Sequence, residues 1–144
     1  MATNHCELAV WEKAMMLTES VKSVVQVLPP IERFGLSGPL RRAAISVPSN
    51  IAEGHQRRSR ADYRRFIAKA CGSLAELETQ LELTQRLHHV DDDLLSRSPT
   101  LADETERLLG CIERAQRTPA IADDLATYDL DQRTVLSPQP SALE

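Results

Sequence analysis

Leu40-Arg41-Arg42-Ala43-Ala44-Ile45-Ser46-Val47-Pro48-Ser49-Asn50-Ile51-Ala52-Glu53-Gly54 is the stretch on which the fold turns. Leu40, Ala44, Val47 and Ile51 recur at helical spacing and make one core stripe. Ala43, Ile45 and Ala52 add a second apolar strip, so one buried face does not account for the segment and something else must cover the rest. Pro48 lies inside the pattern, where it removes a backbone donor and clashes one turn back, a cost of about 3 kcal/mol unless the helix kinks or neighbours compensate. Ala43, Ala44, Ser46, Ser49 and Ala52 surround it and let another helix come close. The segment reads as a kinked central helix packed on two sides.

Upstream, a first helix is expected from Glu7 to Leu28, with Leu8, Trp11, Met15, Val21, Val25 and Leu28 on one face and Met16, Val24 and Val27 apolar off it. Pro29-Pro30 stops it, and Ser37 offers an N-cap for the second helix with Pro39 in its first turn. Downstream, Gly54 to Arg58 form a turn, and Ser59 with Asp62 makes an acidic variant of the capping box. Tyr63, Ile67, Ala70, Leu74, Leu77, Leu81 and Thr84 then keep a seven-residue repeat to about Leu87, the seam of a nearly antiparallel helix pair. His88-His89-Val90 ends it. Asp91-Asp92-Asp93 and Ser98-Pro99 each offer a start, which predicts a short piece, a break near Pro99 and a main fourth helix through Leu101, Thr105, Leu108, Leu109, Ile112 and Ala115 to about Arg117. Thr118 to Glu144 has Pro119, Pro138, Pro140 and no sustained period, so the expected division is a bundle over 1–117 and a mostly disordered tail over 118–144.

The totals agree with an all-α chain. A length of 144 residues with 42% hydrophobic and 26% charged suffices for one domain with its own core, and 3% aromatic suits Leu, Val and Ala packing between helices. No apolar run approaches a membrane span, and the first residues lack a basic stretch followed by an apolar one, so the expected location is the cytoplasm, away from the membrane. Cys6, Cys71 and Cys111 have no paired spacing and read as reduced packing residues. The net charge of −4 hides a segregation. Arg41 to Lys69 holds eight basic and two acidic residues, a balance of +6 that leaves −10 for the rest.

Arg-Arg-Ala-Ala-x-Ser-x-Pro-x-Asn-Ile-Ala-Glu-Gly over residues 41–54, followed by Gly72-Ser73-Leu74-Ala75-Glu76-Leu77-Glu78-Thr79-Gln80-Leu81, resembles the bacterial four-helix-bundle family of 23S rRNA intervening sequence proteins. Leu8-x-Val10-Trp11-x-Lys13-Ala14 and the turn before Leu36 extend the likeness over residues 7 to 117. The resemblance implies an all-helical homopentamer related to the accessory proteins of diversity-generating retroelements, which bind a reverse transcriptase and nucleic acid. It implies no activity. Pro39 and the proline-containing start of the fourth helix depart from the family pattern.

Catalytic and metal patterns are missing from the sequence. A di-iron bundle needs Glu-x-x-His, yet Ala2, Ala52, Gln85 and Arg86 stand three places before the four histidines. There is no phosphate-binding Gly-rich loop and no local nucleophile signature, so the expectation is a non-enzyme without cofactor or metal. Arg42, Ile45, Pro48, Ser49, Asn50, Glu53, Glu76 and Gln80 are candidates for fixing helix register or subunit contacts. Arg57, Arg58, Arg60, Arg64, Arg65 and Lys69 are the candidate nucleic-acid contacts, because cations at a helix N-terminus oppose its dipole unless an anion lies nearby. Few aromatics argue against reading single strands by stacking, so phosphates of structured RNA or duplex DNA fit better. The alternative is an adaptor whose ring docks an acidic protein such as a polymerase-type enzyme. Salt bridges between subunits would use the same cations.

Overall fold

The computed structural model describes the backbone of residues 5–135 and the side chains of residues 7–117. Its helices are α1 His5–Val27, a 3-10 turn Pro30–Arg33, α2 Ser37–His55, α3 Arg60–Arg86, the single turn α4 Asp92–Leu95, and α5 Arg97–Val135. Strands do not occur among the described residues. Residues 1–113 form one compact unit, in which α1, α2, α3 and the start of α5 enclose a core of Leu17, Leu40, Ile67, Leu74, Leu77, Leu109 and Ile112. Arg114–Glu144 is grouped as a second unit, helical as far as Val135.

The central segment folds as its spacing predicts. Leu40, Ala44, Val47 and Ile51 are all buried, and α2 runs unbroken through Pro48. The missing Pro48 N–H would have bonded the Ala44 carbonyl. Thr18 on α1 takes its place, its hydroxyl 2.9 Å from that carbonyl and equally far from Ala14 O on its own helix. A neighbouring helix therefore supplies the compensation that an interior proline demands.

On the other flank of α2, Ser46 meets Ser73 of α3 at 2.7 Å, while Asn50 donates to the Ser46 carbonyl and reaches its hydroxyl at 2.8 and 2.9 Å. Gly54 lets the two helices close at their upper end, since a Cβ there would sit 3.0 Å from Phe66 Cβ. Ser59 caps α3 by accepting from Asp62 N at 3.1 Å. All seven residues of the expected α3 repeat are buried, and His88, at φ 52°, turns the chain out of the helix.

Several local expectations shift. The inward face of α1 is Val10, Ala14, Leu17, Val21, Val24 and Val25, whereas Leu8 and Met15 face outward. A helix apolar around most of its girth does not fix its own rotation. Thr18 on Ala44 O and Ser20 on Ser98 of α5, at 2.7 Å, pin it. Ser37 is the first helical residue of α2 rather than its cap; Leu36 holds the cap position without a side-chain bond, and its own N–H donates to Glu32 at 3.2 Å, whose other oxygen meets His89 at 3.0 Å. The break before the last long helix falls at Ser96, and Pro99 sits in the first turn of α5, where a missing N–H costs nothing. That helix continues past the expected end at Arg117, through Pro119, to Val135, and residues 136–144 of the expected tail lie outside the described residues.

Candidate nucleic-acid interface

Arg57, Arg58, Arg60, Arg64, Arg65 and Lys69 are all exposed and gather where α2 ends and α3 begins. The cluster has a centre that sequence reasoning missed. Phe66 is buried against Gly54, and three cations converge on its ring: Arg57 at 4.6 Å, Lys69 at 4.7 Å and Arg65 at 5.6 Å from the centroid. Phe66 stands outside the seven-residue repeat of α3, and only the fold carries Arg57 from the preceding turn onto it. Carboxylates offset part of this charge, Glu53 lying 3.8 Å from Arg57 and Asp62 3.5 Å from Arg65, both pairs being exposed and worth well under about 1 kcal/mol. An aromatic face attracts cations without neutralising them, so it holds them together while their field stays available to an anion.

Behind the cluster lies a cavity of about 220 Å³ between the upper ends of α1 and α2, walled by Leu8, Trp11, Ile51 and Ala52. Glu7 closes one side, accepting from Tyr63 Oη at 2.7 Å and lying 3.3 Å from His55 Nδ1. Burial first, then the bond to Glu7 and its charge, push the Tyr63 hydroxyl well above its ordinary value, so it stays a donor. Glu7 thereby ties α1 to α2 and α3 in one contact.

The candidate structural residues separate into pairs. Gln80 donates to Glu76 at 3.2 Å, and Asn50 joins the Ser46–Ser73 bond. Ser49 bonds back to the carbonyl of Ile45, Arg42 lies along Gly38, and Glu53 turns to Arg57, so the expected alignment of Arg42, Ser49 and Glu53 yields no mutual contact among the described residues. Pro48 is buried and Ile45 is exposed.

The acidic balance is also localised. Carboxylate oxygens of Glu78 on α3 and Asp103 and Glu106 on α5 lie within 4.8 Å of one another. Burial, then Glu106 and Asp103, raise the Glu78 carboxyl above its ordinary value. The cluster escaped sequence reasoning because its members meet only across two helices. Above it, Cys71 donates to Glu113 at 3.7 Å, and burial with that carboxylate pushes the thiol up to about 11, which keeps it protonated and unreactive at neutral pH. None of the described helices is long and apolar enough to cross a membrane.

The profile of a family described as 23S rRNA-intervening sequence protein matches residues 6–111. Among solved structures, the chain is similar to a protein of unknown function from the S23 ribosomal protein family of Bacteroides thetaiotaomicron, at 24% identity and a TM-score of 0.69 over 74% of this chain and 96% of that one. No curated protein matches it.

Proposed function

The chain belongs to the 23S rRNA-intervening sequence protein family, and from that premise we propose that it is a cytoplasmic, non-enzymatic ring of identical subunits, five being favoured, which binds structured RNA through phosphate contacts. The observation that carries the binding reading is the convergence of Arg57, Arg65 and Lys69 on Phe66 at the end where α3 begins. Amides at a helix N-terminus and guanidinium groups held over a ring together favour a phosphate oxygen. A ring repeats this surface once per subunit, and weak contacts add through effective concentration. The assembly reading rests on Leu8, Met15 and Ile45, which stand 54%, 36% and 51% exposed on the α1 and α2 side of the bundle.

Fluorescence anisotropy with an RNA hairpin across a salt series tests the binding. Affinity falls steeply with salt, and Arg57, Arg58, Arg65 and Lys69 changed together to Gln flatten the slope by about 0.9 per lost phosphate contact. Phe66→Leu, which keeps the cations and removes the ring, weakens binding with a smaller change in slope. Absence of binding by the unaltered protein at low salt rejects this reading and favours an adaptor that docks an acidic protein on the same cations.

A further inference from the structure

Two flanks of the bundle, on opposite sides, carry matching charge and shape at matching heights. On the first flank Leu8, Met15 and Lys22 follow at seven-residue spacing along α1, and Arg41, Pro48 and His55 do so along α2. Contacts of Glu7 with His55 and of Thr18 with Ala44 set the register, which puts the 220 Å³ cavity at the top, Met15 and Ile45 in the middle and Lys22 level with Arg41 below. On the second flank Arg64, Cys71 and Glu78 follow at the same spacing along α3, on the side that meets α5, since Cys71 reaches Glu113 and Glu78 meets Asp103 and Glu106. The Ser46–Ser73 contact puts Glu78 level with Arg41, and Arg64 follows Tyr63, a residue of the cavity wall, so it stands at the cavity's height.

We infer that these two flanks are one interface: Arg64 of one copy enters the cavity of the next, and Lys22 and Arg41 of that next copy cover the first copy's Glu78, Asp103 and Glu106. This rests on the assembly reading above and takes Arg64 out of the phosphate-binding set. A guanidinium on an apolar stem suits a cavity with a Trp face, aliphatic walls and a carboxylate whose own partners are a neutral tyrosine and a half-exposed histidine. Lys22, Arg41 and Arg64 make no ion pair among the described residues. Three carboxylates crowd together without an ion pair among the described residues, an arrangement that a partner's cations relieve. Because the two flanks differ, the contact is heterologous, and it makes a ring when the rotation from one upright copy to the next closes on itself. Neighbouring basic clusters then lie at one height around one rim.

Heterology gives a decisive experiment. Ile45→Asp with Arg41→Glu spoils the first flank, and Arg64→Glu with Glu106→Lys spoils the second, all at exposed positions. Light scattering should find each variant reduced to the 16.0 kDa chain with its helical circular dichroism kept, and an equimolar mixture should give a particle of twice that mass containing one of each. That pair forms because each variant retains the flank the other has lost. Glu7→Arg added to Arg64→Glu restores assembly to within tenfold of the unaltered protein, and Trp11, the single tryptophan, reports entry of the guanidinium by a shift in emission. Assembly of either variant alone, or a mixture that stays monomeric, overturns this interface and leaves the ring reading standing. An unaltered protein that is itself a monomer removes the ring reading.

Discussion

The seam between α2 and α3 and the seams that α5 makes are held by different means. Between α2 and α3, Gly54 admits Phe66 at close range and Ser46, Asn50 and Ser73 form a continuous polar link. Around α5 the ties are isolated pairs: Ser20 with Ser98 at 2.7 Å, Lys13 with Glu104 at 2.7 Å and Cys71 with Glu113 at 3.7 Å. A close seam demands particular small residues at fixed spacing, and so leaves a motif. A seam of separate pairs tolerates many sequences and leaves none.

The largest effect is expected where the close seam admits no extra atoms. Gly54→Val places a Cβ about where Phe66 Cβ already leaves only 3.0 Å and adds two methyl groups beyond it. Overpacking of this kind costs about 1–3 kcal/mol, and here it also displaces the ring on which the cations rest. Denaturant midpoints should fall and RNA affinity with them. An unchanged midpoint would show that the seam is looser than the geometry says.

Thr18→Val comes next. It strands the Ala44 carbonyl, whose helical partner Pro48 cannot be, at a cost of about 1–3 kcal/mol. In a Pro48→Ala background the backbone N–H returns, and the same change should cost about 1 kcal/mol less. A double-mutant cycle measures that coupling, and additive costs would mean that Thr18 serves its own helix through Ala14 instead.

On the α5 side, Ser98→Ala leaves the buried Ser20 hydroxyl to bond back to its own helix, so the expected loss is about 1 kcal/mol by thermal unfolding. A loss as large as that of Gly54→Val would erase the distinction between the seams.

The same contrast explains what the sequence could disclose. The stripe Leu40, Ala44, Val47, Ile51 and the α3 repeat from Tyr63 to Thr84 were readable because each is periodic within one helix. The rotation of α1 was not readable, because Leu8 and Met15 compete with Val10 and Leu17 for the core and the choice falls to Thr18 and Ser20 contacts made with other helices. At the candidate site the cations were legible as a run of charge. Phe66 as their platform and the Glu78, Asp103 and Glu106 cluster were not, since both require knowing which helices lie side by side.

The smallest effect belongs to the most exposed tie around α5. Lys13 holds Glu104 at 2.7 Å, and its hydrogen bond and charge lower the Glu104 carboxyl below its ordinary value. A carboxyl lowered on folding stabilises the folded state above its unfolded value, and the contribution is lost as pH falls through the lowered, folded value. Lys13→Met returns Glu104 toward its ordinary range while keeping a long apolar stem. The two proteins should therefore differ in stability at neutral pH and converge as Glu104 is protonated, the difference shrinking with added salt because both partners reach solvent. Urea midpoints across an acid series measure this. A difference that persists unchanged below the carboxylate range would assign the effect of Lys13 to packing of its stem, and the α5 seam would then share with the α2–α3 seam a dependence on shape rather than on one charged pair.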